Sequence, residues 1–158
     1  MRHSLAVSEN SPHTDYDRPL TNAGRELAAR TAGHLSRFEI DLIVSSSAAR
    51  TAQTAEIVAT ECRITSPIYS RSLYLADANT YRNAPADLLD SNPPAVLVIG
   101  HNPGISTLIN RWSEQYHSVI PASVGVFQLD VEYWTDVAQP TRIAATLTHF
   151  ISGGKFQQ

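Results

Sequence analysis

Two histidines and three arginines in this chain of 158 residues have the right chemistry to act on an anion. His101 lies in the run Val96-Leu97-Val98-Ile99-Gly100-His101-Asn102-Pro103-Gly104. Four apolar residues ending in a glycine read as a strand buried on both faces, as in a parallel sheet. Asn102 is a good N-cap and Pro103 suits a first helical position, so a helix is expected from Pro103 to about Glu114. His101 would then stand at the carboxyl end of a sheet strand, beside the free N–H groups of a helix start. Open α/β sheets bind ligands there, and helix starts favour anions. Arg50 follows the strand Leu42-Ile43-Val44 and the serine turn Ser45-Ser46-Ser47, near the start of another helix. Its guanidinium can hold phosphate oxygens bidentately. Taken alone, Arg50 is better explained as an exposed arginine in a helix ion pair. Arg2-His3, near a chain end, and Arg18, just before a helix cap, read one by one as surface decoration.

The elements that must position these residues can be read along the chain. Glu9 to Asp17 is a polar loop. Thr21 caps a helix from Asn22, with Ala23, Leu27, Thr31, Leu35 and Phe38 on its inner face, and Gly33 weakens but does not stop it. After Leu42-Ile43-Val44 the serine turn caps a helix from about Ala48 to Thr60, whose inner side is Ala52, Ala55, Ile57 and Val58. A short strand is expected around Ile68-Tyr69, and a weak helix over Asn79 to Leu89 with Pro85 in its middle. Val124 to Leu129 and Thr141 to Ile151 then read as two strands joined by a turn over Val131 to Pro140, with Ile143, Ala145, Leu147 and His149 alternating. Two late strands without a helix between them predict an antiparallel edge on a mostly parallel sheet. The expected class is α/β, a three-layer α/β/α sandwich, with residues 1–158 as a single domain.

Bulk properties narrow the function. The length suits one domain with an adequate core. A net charge of −3 gives no general attraction to nucleic acid. Cys62 is the single cysteine, which favours a reducing compartment, and nothing reads as a membrane span or signal peptide. A cytoplasmic protein is expected. The histidines at 3, 13, 34, 101, 117 and 149 lack metal-ligand spacing, so no metal site is expected. Gly153-Gly154-Lys155 has no helix to follow and is not a P-loop. Cys62 falls at a helix position that reads as packing.

Taken together, the cationic pieces resemble the histidine phosphatase superfamily, with its phosphoglycerate-mutase-like fold. Arg2-His3 matches the Arg-His pair that ends the family's first strand. Ser46-Ser47-Ala48-Ala49-Arg50-Thr51-Ala52-Gln53-Thr54 matches its Ser-x-x-x-Arg-x-x-Gln-Thr pattern, and Gly100-His101-Asn102 its later strand end. The small size, Arg18-Pro19-Leu20-Thr21-Asn22-Ala23-Gly24 and Leu73-Tyr74-Leu75-Ala76 are most similar to the phosphohistidine phosphatase (SixA-type) branch. The resemblance implies that His3 is a nucleophile forming a phosphohistidine intermediate. Arg2, Arg50 and His101 would surround the phosphoryl oxygens, with Arg18 adding a fourth positive contact. No cofactor is implied. Guanidinium neighbours lower the pKa of a nucleophilic imidazole and keep it neutral, whereas a bound phosphoryl dianion favours protonated His101.

Three departures from the family pattern shape the expectations. The family's first strand carries several apolar residues before Arg-His, so here that strand is expected to be truncated and His3 loosely held. No acidic residue stands in an obvious general-acid motif; Asp77, Asp15 and Asp17 are the candidates, each also readable as a solvated loop charge. A phosphoramidate needs that acid less, which favours a P–N substrate. Little sequence between the motifs can form a lid, which predicts a shallow site open to a phosphorylated protein. The expected function is hydrolysis of protein phosphohistidine. The alternatives are a phosphomonoesterase for small metabolites and a non-catalytic phosphoryl-binding module.

Overall fold

Successive residues of the parallel strands supply two separate cores, one on each face of the sheet. The structure is a computed structural model describing residues 1–139 and 143–157. Strands β1 (Leu42–Ser46), β2 (Ile68–Ser70) and β3 (Val96–Ile99) are parallel in the order β2-β1-β3. Ile43, Leu97 and Ile99 point into a core with Leu27, Ala32, Leu35, Ala55 and Val58. These come from α1 (Asn22–Leu35) and α2 (Ala49–Cys62). Val44, with Val96 and Val98, meets a second core containing Leu73, Tyr81, Ala84, Ile105 and Leu108. That core belongs to α3 (Ala78–Leu88) and α4 (Gly104–Ser113) on the opposite face. The pleat alternates side chains, and with helices on both faces it requires apolar residues at every position of the strand.

A second sheet is antiparallel, in the order β4 (Val124–Leu129), β5 (Ala145–Ser152), β6 (Lys155–Gln157). It is larger than the expected edge, because β6 adds a third strand. Residues 1–3 join the two sheets. His3 N donates to Gly100 O and Gly100 N to Met1 O, both at 3.0 Å; on the other side Arg2 N donates to Ser123 O and Ala122 N to His3 O. The expected loose start is thus pinned by backbone bonds on both sides. Beyond it, a cavity of about 780 Å³ opens between β3 and β4, lined among others by Val96, Val98, Val126, Phe127, Trp112 and Trp134.

Local departures from expectation have physical causes. Thr21 caps α1 as expected, its hydroxyl accepting from Gly24 N at 2.9 Å, but Gly24 rather than Ala23 is the buried residue. Phe38 lies beyond the helix and packs on the first core from there. The cap of α2 is Ala48, which makes no side-chain capping bond. Ala52 and Ile57 are half-buried there, while Thr51, Thr54 and Ala59 are buried. Pro103 caps α4 after a cis bond, and Asn102, expected to cap, instead donates its amide to Val119 O at 3.0 Å. Pro85 sits inside α3, buried, one turn from its end. The segment after β4 holds a short helix, α5 (Trp134–Val137), where a turn was expected. The alternation expected through β5 fails at His149, because the register with β4 shifts between Val126 and Phe127. The expected start of β5 at Thr141, and Pro140 of the preceding turn, lie outside the described residues.

Candidate active site

The carboxyl ends of β1 and β3 carry the reactive side chains inward. Gly100 and Gly104 flank the turn after β3, and a Cβ on either would run into the ring of Tyr81. Their lack of one lets the strand-turn-helix close on that ring. The Tyr81 hydroxyl accepts from His101 N at 2.9 Å and donates to Leu73 O at 2.8 Å. His101 is thereby fixed by its backbone and is only 1% exposed.

His3 arrives from the joining segment, and its ring centroid lies 5.2 Å from that of His101. The Nδ1 of His3 is 2.7 Å from the Ser4 carbonyl oxygen. A carbonyl can only accept, so Nδ1 carries the proton and Nε2 keeps its lone pair. Arg50, the second residue of α2, donates Nε–H to that Nε2 at 3.3 Å and is 2% exposed. Burial pushes the His3 pKa down to about 4 against an upward pull from the Ser4 hydrogen bond, the second-largest effect, and the charges of Arg50, Arg2 and Arg18 add smaller downward contributions. His101 is pushed down to about 3, mainly by burial and then by His3 and Arg50. Burial thus outweighs the guanidinium effect that sequence reasoning put first, and both rings are neutral at pH 7.

Asp15 organises the arginines. Its Oδ2 accepts from Arg50 Nη2 at 3.0 Å and its Oδ1 from Arg18 Nη2 at 2.6 Å. Its backbone carbonyl accepts from Arg50 Nη1, and the Tyr74 hydroxyl donates to Oδ2. The Tyr74 bond, then Arg18 and Arg50, hold this carboxyl far below the usual carboxylate range. It is a fixed anion and a poor proton donor. The other acid candidates sit elsewhere: Asp77 caps α3 by accepting from Thr80 N at 2.8 Å, and Asp17 is exposed and accepts from Thr14. Arg2 donates Nη1 to Val119 O at 3.0 Å, and its buried Nε has no partner among the described residues. Arg18 also reaches Val7 O at 2.9 Å.

Sequence reasoning missed three members of this cluster. Tyr74 presents its ring edge to His101, centroids 5.5 Å apart, and stands 5.0 Å from the Tyr16 ring. Ser46 places its hydroxyl 2.9 Å from His101 Nε2. Tyr81 holds the His101 backbone as described. Ser46 and Tyr74 lie inside quoted motif segments, so position in the motif was the available signal. Asp15 lies against Arg50 and Tyr74 against His101, and both Arg50 and His101 are buried. Among the described residues, no group of His, Cys, Asp and Glu could hold a metal ion. Nor, among these residues, is any helix long and apolar enough to cross a membrane. Cys62 closes α2, half-buried against the first core.

Two imidazoles and a guanidinium meeting at strand ends is the arrangement to compare with known proteins. Residues 1–73 match the family model of the histidine phosphatase superfamily, branch 1. The chain's fold is similar to a candidate phosphohistidine phosphatase SixA from Agrobacterium tumefaciens, with TM-score 0.78 and 22% identity over 96% of this chain and 94% of that one. A candidate SixA from Nakamurella multipartitia gives TM-score 0.74 and 27% identity over 96% and 92%. The protein histidine phosphatase SixA complexed with tungstate gives 0.74 and 23% over 97% and 94%. Among curated proteins, none matches this sequence. In this chain His3, Arg50 and His101 lie together, Arg18 is linked to Arg50 through Asp15, and Arg2 is near enough to His3 for its charge to lower the pKa of that ring.

Proposed function

We propose that this chain is a metal-independent phosphatase acting on protein phosphohistidine through a covalent intermediate on His3. The observation that carries the reading is the neutral His3 ring, its Nε2 lone pair facing Arg50 and its centroid 5.2 Å from that of His101. The Nε2 lone pair attacks phosphorus and forms a P–N bond, while the bond to the leaving nitrogen breaks and that nitrogen takes the electron pair. Arg50, Arg2 and His101 stabilise the non-bridging oxygens as charge develops on them, and Arg18 adds positive potential. Water then attacks phosphorus, the electron pair returns to His3 Nε2, and a water proton is released. Asp15, held as a carboxylate by Tyr74 and two arginines, has no proton to give a poor leaving group. That favours a phosphoramidate over an alkyl phosphate. Residues 1–158 act as one domain in this proposal, supported by structural matches running over 96% of the chain. A cytoplasmic setting is part of it, supported by the single cysteine.

The test is acid-labile labelling of His3 by a phosphodonor, followed by turnover of phosphohistidine, an aryl phosphate and a sugar phosphate. His3→Ala is expected to lose the label and to cut turnover by about 10⁴-fold or more. Preference for the sugar phosphate would replace the substrate assignment with a small-metabolite phosphomonoesterase. Phosphate binding without any label would leave a binding module.

A further inference from the structure

Ser46 ends β1 fully buried, and its hydroxyl is engaged from two directions. Its oxygen accepts the backbone N–H of Ala48 at 3.3 Å and lies 2.9 Å from His101 Nε2. The other ring nitrogen of His101, Nδ1, is buried and has no partner among the described residues. A neutral imidazole carries one proton, and its hydrogen bonds decide which nitrogen holds it. With the proton on Nε2, Ser46 Oγ would accept twice. The serine hydrogen and the Nδ1 lone pair would then both be unmet among the described residues. With the proton on Nδ1, Ser46 donates to Nε2, and only the Nδ1–H is unmet. Unmet buried polar groups are costly, so the second arrangement wins.

The remaining group is a hydrogen-bond donor beside His3 and Arg50, suited to an anionic oxygen. We propose that Ser46 is a positioning residue that fixes His101 as the Nδ1–H tautomer, so that a neutral imidazole presents a donor to the phosphoryl group. This rests on the reading of the pocket as a phosphoryl site. The two histidines then divide the work although both carry the proton on Nδ1. His3 gives its Nδ1–H to Ser4 and keeps its Nε2 lone pair toward Arg50, whereas His101 ties its lone pair to Ser46 and leaves a proton free. The pKa of His101, pushed down to about 3, makes the tautomer matter, because an imidazolium would donate from both nitrogens without help from Ser46.

The experiment is long-range ¹H–¹⁵N NMR of histidine-labelled protein at pH 7, with His101 assigned from its loss in His101→Gln. In the wild type, His101 Nδ1 should show the protonated and Nε2 the unprotonated nitrogen shift. Ser46→Ala should give mixed tautomers, whereas Ser46→Thr, which keeps a hydroxyl, should retain the wild-type pattern. Tungstate affinity, read separately, should fall roughly tenfold in Ser46→Ala, the scale of one hydrogen bond. A wild-type proton on Nε2, or an unchanged tautomer in Ser46→Ala, overturns the assignment. If Ser46→Ala does not fold, the wild-type and Ser46→Thr spectra decide it. Tungstate affinity unchanged in Ser46→Ala overturns the donor role. Failure of tungstate to bind even the wild type counts against the phosphoryl pocket, while the tautomer is still read independently.

Discussion

The two ends of β3 face opposite kinds of surroundings. At its carboxyl end, Gly100 and His101 enter a polar cluster in which Asp15 binds Arg18, Arg50 and Tyr74, and Ser46 binds His101. Along its body, Val96 and Val98 line a cavity of about 780 Å³ among aromatic and aliphatic side chains. A search for a large apolar pocket would choose the second region, the default for small-ligand sites. None of His3, Arg50 or His101 lines it. The reactive region carries many fixed donors, which suits a phosphoryl group whose recognition is electrostatic.

The sharpest way to break this contrast is at Arg50. Arg50→Ala removes the donor nearest the nucleophile and leaves Asp15 without one of its partners. Turnover should fall by about 10²–10³-fold, or about 2.7–4 kcal/mol in the barrier, the scale of one lost transition-state donor. Steady-state kinetics checks it, and a loss under about fivefold would remove Arg50 from the chemistry.

Proton uptake should separate the regions next, because the cavity contributes no shifted histidine. His3 is neutral above about pH 4 in the folded state, against about 6.5 for a free histidine. The free enzyme's kcat/KM should therefore stay level from pH 7 to 5 and drop roughly tenfold by pH 3. A half-loss near pH 6.5 would contradict the buried nucleophile. Stability follows the same groups. Between about pH 6.5 and 4 the unfolded chain binds protons that folded His3 and His101 refuse, so stability should decline with acidification across that window. Above pH 6.5 their contribution is level. Asp15 acts in the same direction at lower pH: its depressed pKa contributes stability above the usual carboxylate pKa, and this is lost in stronger acid. Thermal unfolding from pH 8 to 4 reads the histidine window.

Asp15→Asn keeps the shape of the clamp and removes its charge. The side chain is 43% exposed, so solvent weakens its ion pairs. We expect about a fivefold fall in turnover, well short of Arg50→Ala, and a similar change from Tyr74→Phe. A collapse as large as that of Arg50→Ala would mean that Asp15 takes part in proton transfer.

The contrast also explains what the sequence made legible. His101 could be placed because four apolar residues, a glycine and a helix start are local features. Arg50 was placed for the same reason, although its partner Asp15 comes from a loop that returns over α2, Ala49 N donating to Tyr16 O. Ser46, Tyr74 and Tyr81 act across the sheet, and no periodicity records which ring or hydroxyl another strand will meet. Gly24 was passed over for Ala23 because apolar patterning cannot register that a Cβ there would strike Leu5 O. His149 lost its place in the alternation to an irregularity visible only in the pairing with β4. The cavity left no trace in the sequence, because it is a gap between two strands distant in the chain.

The gentlest test acts on the cavity itself. Trp134 donates its indole N–H to Pro93 O at 2.8 Å on the cavity wall. Trp134→Phe keeps an aromatic ring there and removes that one bond, which should cost about 1 kcal/mol of stability. For a domain of this size that is a fall of about 2–4 °C in Tm. Turnover should stay within about twofold of wild type, since the electrostatics around His3 are untouched. Urea unfolding and kinetics on the same preparation read both quantities. A tenfold loss of turnover with this small destabilisation would show that the apolar region controls the polar one, and the division of β3 into two independent ends would fail.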